Sequence, residues 1–406
     1  MNILIINQPL NNRGDEAAHK SLMRNLNTKF PDYKITVLFQ SAPQDSINQF
    51  KVSYPLNEYI NIKTMTKGAN FIRKWALRLQ LLKLSLVHPA NYSIIKYIKE
   101  ADFIVCAPGG ICMGSFQNWN HIYKLSLASA YHKKVAYYSR SFGPFPMKTK
   151  WNRCFKNVSL KLLNNFDFIS IRDAKTMSLA KKMNIPYVPA IDTAFLDTPN
   201  VNLPSGLKEI VHKVDYVIFV PNSLTWHTAF NNCRPEFIKE FYLGIMKLLL
   251  SKYQNTKILM LPQLFNVGKK SDEIYFKTLV EEINNKDIIV LSEKYNSDIQ
   301  QTLISNAKLV VGARYHSIVF AINNNTPFVA LSYEHKISGL LQILDLEKYA
   351  YNIENFGVEQ PEIKNALIEI ERIIEMAKAN TKAKIVAHKI AQDCFNTFSK
   401  EQLKNN

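Results

Sequence analysis

Two trains of short apolar runs, each run followed by a stretch with helical period, constrain this chain most. "NILIIN" reads as a strand, "DEAAHKSLMRNLNTKF" as a helix and "KITVLFQ" as a strand. A less regular region follows. Then come "SIIKYIKEA" (helix), "DFIVCAP" (strand), "WNHIYKLSLASAYHK" (helix), "KVAYYSRSF" (strand), "WNRCFKNVSLKLLNNF" (helix), "DFISI" (strand) and "DAKTMSLAKKM" (helix). Such alternation implies a mostly parallel sheet covered by helices. It stops at "LDTPNVNLPSGLKE" (196–209), where two prolines, a glycine and lost periodicity mark a linker. It then restarts with the strands "DYVIFVP", "TKILMLP", "DIIVLSE", "KLVVGA" and "PFVALSY". A polar helical stretch closes the chain. The expectation is an α/β protein of two Rossmann-like, doubly wound domains facing a cleft. Residues 1–200 form the first, 201–360 the second, and 361–406 a C-terminal helical tail.

At 406 residues and 47% hydrophobic content, two sizeable cores are within reach and disorder is not expected. No run reaches the roughly 18 apolar residues of a spanning helix. "MNILIINQP" has no basic leader and reads as the first strand rather than a secretory signal. The five cysteines are odd in number and match no metal spacing, which suits free thiols in a reducing cytoplasm. The net charge of +18 has two readings. Lysines are scattered over solvated surface, or the protein meets an anion: a phosphorylated small molecule, an anionic membrane face or nucleic acid. No zinc-finger, RNA-recognition or basic-region pattern supports nucleic acid.

In doubly wound sheets, ligands bind at the carboxyl ends of the strands, so strand-end residues are the candidates. "GARYHS" (312–317) is the sharpest such motif. Arg314 can grip a phosphate or carboxylate with parallel hydrogen bonds, and His316 can exchange a proton near neutral pH. Lys336 falls just after the next strand, "PFVALSY". Three cations on adjoining turns suit a small, multiply charged anion; the alternative is an Arg–His pair satisfied by local carboxylates. Glycine is scarce, 12 in 406 against a usual share of about 7%, so its clusters stand out. In "NNRGDEA" (11–17), Gly14 allows a tight turn and Asp15 suits a helix start; the stretch is either a plain βα turn with an N-cap or a substrate-contacting loop at the cleft. In "APGGICMG" (107–114), Gly109 and Gly110 would let backbone N–H groups approach an anion or a sugar. "SFGPF" (141–145) reads as a structural turn. In "SIRDAKTM" (170–177), Asp173 reads as a helix N-cap, and Arg172 as a surface residue or an anion clamp. No metal-ligand spacing and no cofactor motif appears. "FIRKWALRLQLLKLSLV" (71–87) carries Phe71, Trp75, Leu79, Leu82 and Leu86 on one helical face, with Arg73, Lys74, Arg78 and Lys83 off it. That face would pack into the core or lie on a membrane surface.

Taken in order, "NRGDEA", "PGG", "SFGPF", "SIRDAKTMSLA", "AIDTAFL" and "GARYHSIVFAINNNTPFVALSYEHK" resemble the polysaccharide pyruvyl transferase family over roughly residues 1–345. Arg13 precedes the Gly-Asp pair where a smaller or aromatic residue is commoner, and "APGGICMG" is less glycine-rich than usual. The resemblance implies a glycosyltransferase-B-like fold. It also implies transfer of a pyruvyl group from phosphoenolpyruvate to two hydroxyls of a sugar, forming a ketal in a surface polysaccharide. The sugar is expected on a polyprenyl diphosphate, at the inner membrane face. Arg314 and Lys336 would hold the donor's two anionic groups, with Arg172 a further clamp and His316 the general acid/base. Asp15 and the Gly109–Gly110 loop would meet the acceptor. Two other readings stand beside this one. A nucleotide-sugar-dependent glycosyltransferase of the same architecture would release a nucleoside diphosphate. A basic binding protein without turnover would lose affinity steeply with salt.

Overall fold

β1 (Asn2–Ile6), β4 (Phe103–Cys106), β8 (Tyr216–Val220), β11 (Val310–Gly312) and β12 (Phe328–Ser332) are buried at consecutive positions. Alternate residues of a strand point to opposite faces, so these strands are covered on both. The computed structural model describes residues 1–9, 11–40, 42, 44, 47–48, 57–62, 67–224, 230, 232–265, 268, 271–292 and 294–403. Two units are present. Met1–Leu10, Ala18–Thr193 and Ile390–Asn406 make unit 1; Asn11–Ala17 and Ala194–Lys389 make unit 2.

Unit 1 adds β2 (Lys34–Gln40), β3 (Glu58–Ile62), β5 (Lys134–Tyr137), β6 (Phe168–Ile171) and β7 (Val188–Pro189). Its seven strands are all parallel, in the order β3-β2-β1-β4-β5-β6-β7. Its helices are α1 (Arg13–Lys29), whose first turn counts with unit 2, α2 (Lys67–Arg78), α3 (Pro89–Glu100), α4 (Trp119–Ala130), α5 (Lys150–Asn165) and α6 (Ala174–Lys182). Unit 2 pairs β8, β11 and β12 with β9 (Lys257–Met260), β10 (Ile288–Val290) and β13 (Ala350–Asn352). The order is β10-β9-β8-β11-β12-β13, again all parallel. Its helices are α7 (Ser205–Lys213), α8 (Pro235–Lys252), α9 (Asp272–Ile283), α10 (Ser297–Ser305), α11 (Tyr315–Asn323), α12 (His335–Ile343), α13 (Ile363–Met376) and the first half of α14 (Thr381–Phe398). Each unit is therefore a doubly wound, Rossmann-like sheet. The strand order reverses between β1 and β4 in one and between β8 and β11 in the other, and those reversals are where such sheets take ligands.

Helix starts follow local chemistry. Asn118 caps α4 by accepting from His121 N at 3.0 Å, Thr149 and Asn152 form a capping box on α5, and Asn296 caps α10. Asp173 caps α6, accepting from Thr176 N at 2.8 Å, as its position after β6 suggested. On α1 the cap is Asn12 rather than Asp15: its Oδ1 accepts from Gly14 N at 2.8 Å and Asp15 N at 3.3 Å, leaving Asp15 within the first turn.

The tail is not one helical piece. α13 buries Ala366, Ile370, Ile373 and Ile374 on one face and packs on α8, β12 and β13 of unit 2. The last residues instead complete the core of unit 1. The Phe398 ring lies 5.9, 5.1 and 5.2 Å from those of Phe103, Tyr138 and Phe168, and Leu403 O accepts from the Tyr33 hydroxyl at 2.9 Å.

α2 also turns differently from its apolar stripe. Ala69, Arg73, Ala76 and Leu77 are buried, whereas Phe71 and Leu79 are exposed. Arg73 faces inward because amides satisfy it there: its Nε donates to Asn91 Oδ1 and its Nη1 to Asn70 Oδ1. No helix among the described residues is long and apolar enough to cross a membrane.

Candidate active site

In unit 2 the strand end after β11 is organised around one buried carboxylate. Arg314 is the N-cap residue of α11, two positions beyond the end of β11. Its Nη2 donates to Asp272 Oδ1, and the two side chains form a buried ion pair. Asp272 opens α9, and its Oδ2 accepts from the backbone N–H of Gln263 (3.0 Å) and Leu264 (2.9 Å). Burial opposes the charge on Arg314, but the Asp272 carboxylate, together with the Tyr333 and Tyr242 phenols, offsets it and holds the guanidinium above its usual range. Arg314 Nε and Gln263 Nε2 are buried with no hydrogen-bond partner among the described residues. Tyr333, one residue past β12, is buried and acts electrostatically with Arg314; burial and Glu334 hold its phenol well above its usual range. Lys336, the second residue of α12, is half-buried with its Nζ 3.4 Å from each Glu334 oxygen, a loose pair. Arg314 and Lys336 thus stand on neighbouring strand ends, each already facing one carboxylate.

His316 lies in the first turn of α11, buried, with its ring 4.9 Å from that of Tyr315 and 6.2 Å from that of Phe320. Gly14 lies directly against it. A Cβ at position 14 would bring His316 Cγ, Nδ1 and Cβ all inside the 3.0 Å that real Cβ atoms keep. This corrects the expectation that Gly14 and Asp15 belong with the first domain, residues 1–200. Residues 11–17 pack with unit 2 because their backbone runs along 263–265: Arg13 N donates to Gln263 O (2.9 Å) and Phe265 N to Asn11 O (3.0 Å). Arg13 is buried, paired with Glu16 and set over the Phe265 ring at 3.8 Å; Glu16 accepts from Ser297 N at 3.2 Å and Ser297 Oγ at 3.1 Å. Arg13 is therefore part of what holds the loop against unit 2.

The remaining candidates lie in unit 1. Arg172 is buried and paired with the fully buried Asp192, so its charge is already answered within its own unit. The Gly109–Gly110 loop presents carbonyls inward. Arg140, fully buried, donates to Ala107 O, and its Nη2 donates to Gly110 O at 3.1 Å. The guanidinium fills the space under Gly109, where a Cβ would meet it at 3.2 Å. The "SFGPF" turn is structural: Gly143 takes φ +71 and its N–H donates to Met113 O at 2.7 Å, while Ser141 Oγ donates to Asp173 Oδ2 at 2.6 Å.

Sequence reasoning passed over Asp272, Arg140, His121, Lys124 and Tyr333. Arg140 carried the signal that exposed Arg314, a lone cation just past a buried strand. Asp272 carried only the weak mark of an acid opening a helix.

The sequence model described as polysaccharide pyruvyl transferase matches residues 12–335. The chain is also similar to the amylovoran biosynthesis protein AmsJ of Erwinia amylovora, 23% identical over 98% of this chain and all of that one. Among solved structures, it resembles the UDP-GlcNAc 2-epimerase of Neisseria meningitidis, with a TM-score of 0.59 at 10% identity over 98% of this chain and 100% of the other. It also resembles Alr3699/HepE of Anabaena, with a TM-score of 0.56 at 11% identity over 98% and 100%. Likenesses of this kind establish the glycosyltransferase-B-like fold. The family match spans β8 to β12, the loop at Gly14 and the motif at Arg314 and His316, and on that match the chain belongs to the polysaccharide pyruvyl transferase family.

Proposed function

We propose that unit 2 binds phosphoenolpyruvate over the ends of β11 and β12, and that the protein moves its pyruvyl group onto a sugar carried by a polyprenyl diphosphate, forming a cyclic ketal. One observation carries the reading. Arg314 stands at the strand-order reversal of unit 2, aligned by Asp272, with a buried Nε that has no hydrogen-bond partner among the described residues. A pinned cation with spare donors is built for a compact oxyanion. Lys336, loosely held at 3.4 Å by Glu334, supplies the second cation for a donor with both a phosphate and a carboxylate.

The reaction needs a proton on the methylene carbon of the donor. A sugar hydroxyl then attacks the resulting cationic carbon and gives up its proton. Phosphate leaves with the C–O bond electrons, and the second hydroxyl closes the ring and releases its own proton. His316 delivers the first proton and removes a later one; a positioned group of this kind contributes about 100- to 10,000-fold. A polyprenyl-linked acceptor would bring the protein to the cytoplasmic face of a membrane, and exposed Phe71, Leu79 and Leu81 near Lys74 and Lys83 are the surface proposed to meet it.

Incubating the protein with phosphoenolpyruvate and a lipid-linked sugar should release inorganic phosphate. Arg314→Ala and His316→Ala should each abolish that release in folded protein. Undiminished turnover in both variants would remove this site from the reaction, and release of a nucleoside diphosphate from a nucleotide sugar would favour glycosyl transfer instead.

A further inference from the structure

The strand-order reversal of unit 1 gathers buried cations of its own. β1 ends at Ile6 and β4 at Cys106, and beyond them stand Asn7, the last residue of β2 (Gln40) and the first turns of α4. His121 and Lys124 lie three apart on α4, so they share a face. They are only 3% and 7% exposed. Lys124 Nζ donates to Gln40 Oε1 at 3.1 Å, an amide rather than a carboxylate. Asn7 Nδ2 and His121 Nε2 each lie 3.7 Å from Cys106 Sγ. Gln40 Nε2 and Gln117 Nε2 are buried with no hydrogen-bond partner among the described residues. Besides burial, the groups acting most on Lys124 are Arg73, Cys106, Cys112 and Arg140, and those acting on His121 are Arg140 and Lys124. Neither set contains a carboxylate. Burying an ammonium among other cations is costly unless a counter-charge arrives. Leucine or methionine would fill the same space without that cost.

We infer that unit 1 carries a second oxyanion site, in which a phosphate-type group sits over the ends of β1, β2 and β4, held by Lys124 Nζ, Gln40 Nε2, the His121 imidazole and the amino end of α4. Lys124 has three donors and spends one on Gln40. The amino end of a twelve-residue helix adds partial positive charge. Burial lowers Lys124 to about 8, and an arriving dianion would raise it again by offsetting the desolvation of the ammonium. The inference is separate from the donor reading, because it uses none of Arg314, His316, Lys336 or Asp272. Two sources share this chemistry: free phosphate, and the diphosphate of an isoprenyl-linked sugar.

The test uses the full chain with Arg314→Met and Lys336→Met, which remove both anion-binding cations proposed in unit 2, titrated with inorganic phosphate and separately with farnesyl diphosphate. Both ligands should still bind, and adding Lys124→Met should weaken the binding about tenfold or more, the worth of one charge-assisted hydrogen bond. Inorganic phosphate bound as tightly as farnesyl diphosphate assigns the site to free phosphate. Farnesyl diphosphate bound more tightly assigns it to the diphosphate ester. Affinities unchanged by Lys124→Met overturn the inference. Tungstate soaked into crystals of the unaltered protein gives a reading free of folding effects. A heavy-atom peak within hydrogen-bond reach of Lys124 Nζ supports the site, and no peak there overturns it.

Discussion

Gly14→Ala should be far more damaging than a helix-propensity table suggests, and its damage should depend on one side chain. Gly14 sits in the first turn of α1 without a left-handed φ, so the backbone accepts alanine there. Propensity alone would favour the change by up to about 1 kcal/mol. The added Cβ, however, overlaps His316, with Cγ and Nδ1 nearest and Cβ next, all inside 3.0 Å. His316 is buried against the Tyr315 ring at 4.9 Å and the Phe320 ring at 6.2 Å, so the imidazole must leave its position. Overpacking of this kind costs about 1–3 kcal/mol. For a unit of this size, that is roughly 2–4 °C in Tm per kcal/mol. His316→Ala removes the two nearest atoms and leaves the third, and His316→Gly removes all three. The penalty for Gly14→Ala should therefore fall in steps across those backgrounds and vanish in His316→Gly, giving a coupling of about 1–3 kcal/mol in a double-mutant cycle read by urea unfolding. In the proposed reaction, a displaced general acid should also lose about 100-fold in phosphate release. Additive stabilities within about 0.5 kcal/mol would show that Gly14 and His316 do not press on each other, and would undo the placement of the histidine.

Two further outcomes are expected. Burial lowers the Lys124 ammonium to about 8 from its ordinary 10.5, so between those values the unfolded chain holds a proton that the folded chain has released. Stability should then rise with pH across that window, by at most about 1.4 kcal/mol per unit, and the difference in urea-unfolding free energy between the unaltered protein and Lys124→Met should carry the slope. A difference that stays flat from pH 8 to 10 would contradict the buried ammonium. Phe71 and Leu79 are 62% and 53% exposed, and Phe71→Glu with Leu79→Glu should reduce co-sedimentation with anionic vesicles at least about tenfold. Equal sedimentation of the two proteins would remove this face from membrane contact.

The sheets were legible because their strands are short, apolar and separated by amphipathic helices, so that periodicity alone distinguishes them. β3 was not, because its alternating Tyr59, Ile60, Asn61 and Ile62 lie in a stretch without a clear run, nor were β13 and the two-residue β7, because strands so short carry no periodicity. α2 misled for another reason. Its stripe of Phe71, Trp75 and Leu79 is the pattern of a buried face, yet Asn70 and Asn91 supply acceptors that let Arg73 take the interior. Trp75 is held edge-on by Trp151 at 5.5 Å, and Arg78 lies over Trp151 at 3.9 Å. Hydrophobic pattern does not count hydrogen-bond partners, and two asparagines sufficed to reverse it. At the candidate site, the cations were readable and their counter-charges were not. Arg314 is announced by "GARYHS", whereas Asp272 lies 42 residues earlier, in a helix start that looks ordinary. Pairing across that separation is set by the order of strands, which places β9 and β11 on either side of β8.

The two strand-order reversals treat charge in opposite ways, and the contrast bears on what each can hold. At β8 and β11, a carboxylate secured by two backbone N–H groups keeps Arg314 protonated and fixes one edge of its fork before any ligand arrives. Little side-chain entropy is then left to lose on binding, and an arginine so placed is always charged, which suits a site that must align a reactive anion. At β1 and β4, Lys124 meets an amide, two thiols and other cations, and burial pulls it toward neutrality. An oxyanion bound there would further favour the ammonium over the amine. As part of the second oxyanion site inferred for unit 1, Lys124 would hold a phosphate group without needing to orient it for chemistry. Equivalent places in two sheets of one topology would thus be divided between alignment for reaction and retention of an anionic handle, with the difference set by a single aspartate in unit 2 and by Gln40 in its stead in unit 1.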